Sequence, residues 1–131
     1  MSHLFHLRRT SLESIKIVWK TSKLFRLSFL ISFILWLLLL VMPFFRLTPS
    51  ADEGNFIPLH YNVFFGVDKF GPWYSVFQLP AFGLFFLLIN NWLAARFFER
   101  EKILSAFFMV TTVLIQVVLL AAMSFTILLN M

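Results

Sequence analysis

The chain has 131 residues, of which 60% are hydrophobic, 19% aromatic and 13% charged, and its mean hydropathy is +0.88. Soluble domains carry about 25% charged residues, so this composition excludes an ordinary water-soluble globule and indicates one membrane domain. The absence of cysteine excludes disulfides, Cys-based metal sites and thiol catalysis, and the net charge of +5 does not indicate nucleic acid, because most basic residues precede the first apolar run.

Residues 1–26 form a basic segment with helical spacing. Thr10 and Glu13 fit a capping box, and apolar residues from Leu12 to Leu24 recur on roughly one helical face. We expect an amphipathic helix at the cytoplasmic interface that leads directly into the first span; a plain positive flank that only sets topology is the alternative. Three lysines on another face are candidates for binding lipid headgroups: Lys16, Lys20 and Lys23.

Three uncharged apolar runs follow, at residues 27–45, 73–95 and 103–129. At ~1.5 Å per residue, each is long enough to cross most or all of a hydrocarbon core of ~30 Å. The sequence therefore predicts an all-α integral membrane protein with three transmembrane helices. The first two helices are joined by a structured outer loop over residues 46–72. The last two are joined by a charged cytoplasmic link over residues 96–102.

The distribution of Lys and Arg predicts the orientation. The N-terminal flank carries six of the eleven basic residues, the long loop carries Arg46 and Lys69, and the short link carries three. Cytoplasmic segments hold the excess of basic residues. We therefore expect the N-terminus and the link in the cytoplasm and the loop and C-terminus outside.

The polar, turn-rich stretch at residues 57–74 is where we expect recognition or chemistry. Pro58 favours an extended entry, and Asn62 can bond its own backbone and cap a turn. Gly66 and Gly71 permit positive φ or a close approach of the backbone. These roles describe a shaped loop that packs on the helix ends.

His60 and Asp68 also have a chemical interpretation. Turn-forming residues lie between them, so the segment can fold back and bring them together. An imidazole beside a carboxylate makes a pH-responsive or proton-handling pair; alternatively, Asp68 caps a turn that leads into Pro72. A metal site is less favoured because a third protein ligand is hard to find, and we predict no metal, cofactor or catalytic residue.

Polar residues within the spans are expected to hold helices together. Gln116 lies near the middle of the third span, and Asn90 and Asn91 lie near the inner end of the second. Hydroxyl groups of the third span are expected to bond across helices as well: Thr111, Thr112, Ser124 and Thr126. Each such bond contributes roughly 0.6–2 kcal/mol. The spans contain no ionisable residue away from their ends, which argues against a proton pump or an ion-coupled carrier.

The loop resembles a bacterial membrane domain of unknown function that occurs in immunity membrane proteins for the sporulation-delaying peptide toxin. The family pattern is Pro, any residue, His, aromatic, Asn, then Gly and Asp before a further span. The residues that carry it here are Pro58, His60, Tyr61, Asn62, Gly66 and Asp68. The glycine comes one residue later than in the family, and Val67 stands where a proline is expected. The resemblance implies a small bacterial inner-membrane protein that protects against, or senses, a membrane-active peptide.

We therefore expect a non-enzymatic multi-pass protein of the bacterial plasma membrane. It would act through its outer loop on a membrane protein or peptide, as an interaction protein, an immunity-like protein or a subunit of an oligomer or larger complex. The alternative is a transport accessory or a membrane enzyme that uses His60 and Asp68.

Overall fold

The computed structural model describes residues 11–47 and 56–131. In chain order these residues form α1 (Ser11–Thr21), α2 (Lys23–Arg46), β1 (Phe56–Asn62), β2 (Gly66–Pro72), a 3-10 helix (Trp73–Phe77), α3 (Gln78–Phe97) and α4 (Lys102–Leu129). Thr10 of the expected capping box and residues 48–55 of the expected outer loop lie outside the described residues.

Three helical segments are long and apolar enough to cross a membrane: Lys23–Arg46, Trp73–Phe97 and Lys102–Leu129. The prediction of three apolar segments of membrane-spanning length is confirmed, and together they indicate a multi-pass membrane protein. The first begins four residues before its predicted start, the second at its predicted start, and the third one residue before it. The second opens as a 3-10 helix behind Pro72, whose extended backbone (φ −61°, ψ 143°) precedes the first helical residue.

The N-terminal helix and the first span are separate helices joined by one residue, Ser22. Ser22 takes an extended conformation (φ −104°, ψ 113°) and ends α1 before α2 begins. Its Oγ accepts a hydrogen bond from the backbone N–H of Phe25 at 3.1 Å, which is the usual way a serine begins a helix. Lys23 therefore belongs to α2. One side of α1 packs on the protein, because Val18 is buried beside Phe25 and Ala94.

The bundle has two ends. At the hairpin end, α2 and α4 finish, α3 begins, and a buried cluster forms: Leu39, Leu47, Val76, Met123 and Ile127. At the link end, α1 packs beside the connection from α3 to α4, and a second cluster forms: Val18, Phe25, Ala94, Ala95 and Met109. Helix α4 packs against both α2 and α3, which contact each other less. The third span is therefore the central helix.

Gly83 lies where the three spans meet. A Cβ at this position would lie 2.9 Å from Gln116 Oε1 and 3.2 Å from Trp36 Cδ1. The Gln116 Nε2 donates to the Gly83 carbonyl at 2.7 Å, and the Trp36 Nε1 donates to the Pro80 carbonyl at 2.9 Å. The missing side chain allows this close approach of helices, as small residues do in membrane bundles.

Most other polar groups of the spans bond within their own helix. Thr112, Ser124 and Thr126 donate to the carbonyls four residues earlier, at 2.7, 2.8 and 3.0 Å. The expectation that they bond across helices is wrong, because the preceding turn offers a nearer acceptor. Asn91 behaves in the same way toward the Leu87 carbonyl at 2.6 Å, and Asn90 is buried beside it.

The segment between the first two spans contains an antiparallel β-hairpin, so the all-α expectation needs correcting here although the chain is mainly helical. The pairing runs from Phe56 opposite Pro72 to Asn62 opposite Gly66. It is irregular between Pro58 and Tyr61, next to the residue that has no N–H to donate.

Candidate functional site

The turn of the hairpin presents three consecutive large apolar side chains. Val63, Phe64 and Phe65 are 84%, 89% and 83% exposed, and we call them the hairpin tip. The Asn62 Oδ1 accepts a hydrogen bond from the Phe64 N–H at 2.9 Å, and Gly66 has φ +76°. Both residues therefore fix the turn, in the ways expected of Asn and Gly in hairpins.

The hairpin tip is not part of the loop motif that the sequence indicates. The sequence does contain a signal for the hairpin itself. Two short segments joined by a few residues between Asn62 and Gly66 are typical of a hairpin with a short loop.

The other end of the hairpin is fastened to the bundle. Ile57 and Leu59 pack on the buried cluster of the hairpin end. The Asn130 Nδ2, just beyond α4, donates to the Pro58 carbonyl at 2.9 Å. A Cβ on Gly71 would lie 2.5 Å from Leu59 Cδ1, so glycine lets the two strands close over this contact. The tip is consequently held on an anchored element.

His60 and Asp68 meet across the two strands. The His60 Nδ1 lies 2.7 Å from Asp68 Oδ1, with side chains 63% and 37% exposed. Asp68 therefore pairs with the imidazole instead of capping a turn before Pro72. Even with a charged imidazole, a contact this exposed contributes less than about 1 kcal/mol, so the hairpin does not depend on it. Among the described residues, the His60 Nε2 has no hydrogen-bond partner.

A groove of about 580 Å³ lies between the hairpin and the adjoining ends of α3 and α4. We call it the hairpin groove. Polar side chains line it near the hairpin: His60, Tyr61, Lys69, Ser75 and Gln78. The lining from α3 and α4 is mainly apolar: Leu79, Phe82, Ala122, Phe125 and Leu129, with Thr126 among them. Leu59 and Val76 add apolar groups near the hairpin. The groove is therefore amphipathic, with His60 on its polar side.

Basic side chains gather at the opposite, link end. Lys16, Lys20 and Lys23 are all exposed there, on α1 and the first turn of α2. A second cavity of about 510 Å³ separates α1 from the link and is lined by its cations, Arg96, Arg100 and Lys102. These groups are remote from the hairpin.

The motif residues of the loop all lie in the hairpin: Pro58, His60, Tyr61, Asn62, Gly66, Asp68 and Gly71. The three amides singled out in the spans do not join them. Gln116 ties α4 to α3 in mid-bundle, and Asn90 and Asn91 lie toward the link end. One hydroxyl that bonds across helices was missed: the buried Ser105 Oγ donates to the Ala94 carbonyl at 2.7 Å.

Comparison with protein-family models, with curated proteins and with solved structures finds no match for this chain. Function is therefore inferred from the hairpin and the groove beneath it.

Proposed function

We propose that this chain is a non-enzymatic multi-pass membrane protein whose β-hairpin recognises a partner in the membrane. The observation that carries the proposal is the hairpin tip, where Val63, Phe64 and Phe65 are each more than four-fifths exposed. Contiguous apolar surface of this kind marks interaction sites. The Asn62–Phe64 hydrogen bond and the anchored strands hold the tip in one conformation, which lowers the entropy that binding must overcome.

The position of the hairpin favours a membrane-bound partner over a soluble one. The base of the hairpin adjoins the apolar spans, because β2 ends at Pro72, directly before the second span, and Ile57 and Leu59 pack on the cluster at the helix ends. A partner in the membrane can therefore reach the hairpin. A membrane protein, a second copy of the chain or a membrane-active peptide can cover it there. The P-x-H-aromatic-N pattern of the hairpin supports the peptide, through its resemblance to immunity proteins.

The orientation that goes with this proposal places the hairpin outside a bacterial plasma membrane and the N-terminus in the cytoplasm. The excess of Lys and Arg in the first 26 residues and in the link supports it. With this orientation, α1 lies at the inner surface, where Lys16, Lys20 and Lys23 meet anionic headgroups.

Photo-crosslinking tests the proposal directly. A photoreactive amino acid at Phe64 is expected to capture one defined protein or peptide in native membranes, identified by mass spectrometry. The same amino acid at Ile103 serves as the control, since Ile103 is 87% exposed but lies at the link end. Capture of lipid alone from Phe64, or the same partner from both positions, would contradict the proposal.

A second function is favoured by the 2.7 Å contact between His60 Nδ1 and Asp68 Oδ1. A carboxylate that holds an imidazole by Nδ1 leaves Nε2 to exchange a proton with a substrate, as in a membrane enzyme or a transport accessory. Asp68→Asn separates the two functions. The recognition function keeps partner capture from Phe64 in this variant. If the catalytic function is correct, the Asp68→Asn variant folds normally but no longer restores a strain that lacks the protein.

A further inference from the structure

The hairpin groove carries its charged and titratable side chains on the hairpin and its two phenylalanines on α3 and α4, an arrangement that suits the headgroup and the acyl chain of a membrane lipid. His60 and Lys69 lie on the hairpin side, whereas Phe82 and Phe125 lie between α3 and α4. We propose that the groove binds one anionic phospholipid. The phosphate lies at Lys69 and His60, and one acyl chain lies along the two phenylalanines. The site does not depend on what binds the hairpin tip.

The charge of the groove favours an anionic headgroup. Within the described residues, Lys69 has no salt-bridge partner. The Asp68 carboxylate is already occupied by the His60 Nδ1 and does not line the groove. Lys69 is therefore the lysine that lines the groove without an acidic side chain beside it in the lining, and His60, Tyr61 and Ser75 add hydrogen-bonding groups around it.

The shape of the groove favours a lipid over a small soluble anion. Its volume of about 580 Å³ lies within the range of roughly 300–1,000 Å³ typical of ligand pockets. Phe82 follows Gln78 by one helical turn, so its ring lies about 6 Å farther along α3 from the hairpin end. The groove is not enclosed, which lets the rest of the lipid remain in the bilayer.

Native mass spectrometry of the full chain in detergent measures the binding. Phosphatidylglycerol and phosphatidylcholine with identical acyl chains are the probes. The chain is expected to bind one phosphatidylglycerol more tightly than phosphatidylcholine. Lys69→Gln is expected to weaken phosphatidylglycerol binding about fivefold, since a lysine near an anionic lipid surface contributes about 1 kcal/mol. Arg46→Gln removes an exposed cation at the same end of the bundle that does not line the groove, and is expected to have no such effect.

The acyl-chain part of the site has its own matched pair of variants. Ala122 lines the groove, whereas its neighbour Ala121 is exposed and does not. Ala122→Phe is expected to abolish binding of one phosphatidylglycerol, and Ala121→Phe to preserve it. Thermal unfolding of both variants shows that they fold, and the Lys69→Gln result stands independently of them.

Several results would overturn the proposal. Equal losses for Lys69→Gln and Arg46→Gln would show only general attraction to anionic lipid. Full binding by a folded Ala122→Phe would place the lipid elsewhere. A free-anion site would be identified by two observations together. Inorganic phosphate would displace the lipid equally from the parent chain and from Ala121→Phe, and it would bind Ala122→Phe as well as it binds the parent chain. If the chain purifies with a helix of another protein bound in the groove and no lipid there, the groove is a protein-docking site.

Discussion

Ser32 and Ser105 are both fully buried within apolar spans, yet their hydroxyl groups are in different situations. The Ser105 Oγ donates to the Ala94 carbonyl of the neighbouring helix at 2.7 Å. Among the described residues, the Ser32 Oγ has no hydrogen-bond partner. A buried polar group stabilises a fold only when its bond is made, so these two serines should have opposite energetic effects.

Replacing each serine by alanine tests this difference. Ser105→Ala is expected to lower the free energy of unfolding by about 1 kcal/mol, because an interhelical bond is lost. Ser32→Ala is expected to leave it unchanged or to raise it, because an unpaired hydroxyl is removed. Denaturant unfolding in one detergent gives both values, and each variant is the control for the other. Equal losses would contradict the assignment.

At this scale the sequence indicates which residues are polar within a span but not what they reach. Gln116 and Asn91 are both amides on long apolar helices, and both were expected to bond across helices. Only Gln116 lies opposite a glycine, so its amide reaches the Gly83 carbonyl. The amide of Asn91 finds the Leu87 carbonyl of its own helix. That difference depends on the spacing of two helices, which no single segment encodes.

Among the elements, the hairpin departs most from the sequence-based expectation. The roles of Asn62 and Gly66 as turn residues follow from their chemistry and are observed. The strands were missed because Pro58 lies within β1 and the polar residues around it suggested an irregular loop. Pairing with β2 and packing of Ile57 and Leu59 on the helix ends outweigh the proline.

Gly66 provides a test of the turn that is free of packing effects. It has φ +76°, and a Cβ added there would meet no atom within 4 Å. Gly66→Ala therefore introduces backbone strain alone, expected to cost about 1–2 kcal/mol. Hydrogen exchange of the hairpin amides should speed up roughly 5- to 30-fold, since 1.4 kcal/mol corresponds to a factor of ten.

Gly66→Asn is the matched control, because asparagine tolerates the left-handed region better than alanine does. Its hairpin amides are expected to exchange at a rate between those of the parent chain and Gly66→Ala. Exchange in Gly66→Ala that matches the parent chain would mean that the turn does not need this conformation.

For the whole molecule, hydropathy alone predicts the three apolar segments and their order along the chain. It does not predict that α4 packs between α2 and α3, or that the hairpin covers the adjoining helix ends. The hairpin groove was not foreseen for the same reason. It is lined by residues from about 59 to 129, and their proximity depends on tertiary packing.

The two ends of the bundle allow a direct test of orientation. The chain has no cysteine, so single replacements report without background. Val63→Cys at the hairpin tip is expected to react with an impermeant thiol reagent in intact cells. Ile103→Cys at the link end is expected to react only after the membrane is permeabilised. Both side chains are more than four-fifths exposed on the protein, and reaction of Ile103→Cys after permeabilisation shows that the reagent can reach it. The reverse labelling pattern would invert the proposed topology.

The hydrogen bond from Asn130 to Pro58 also has a consequence for biosynthesis. Its partners are separated by 72 residues. At roughly 5–20 residues per second, a ribosome adds the second partner about 4 to 14 seconds after the first. During that interval β1 lacks both this bond and the α4 side chains of its cluster, Met123 and Ile127. Insertion of the last helix therefore completes the hairpin's anchoring, and the apolar tip of a nascent chain is available to chaperones or unintended partners before then.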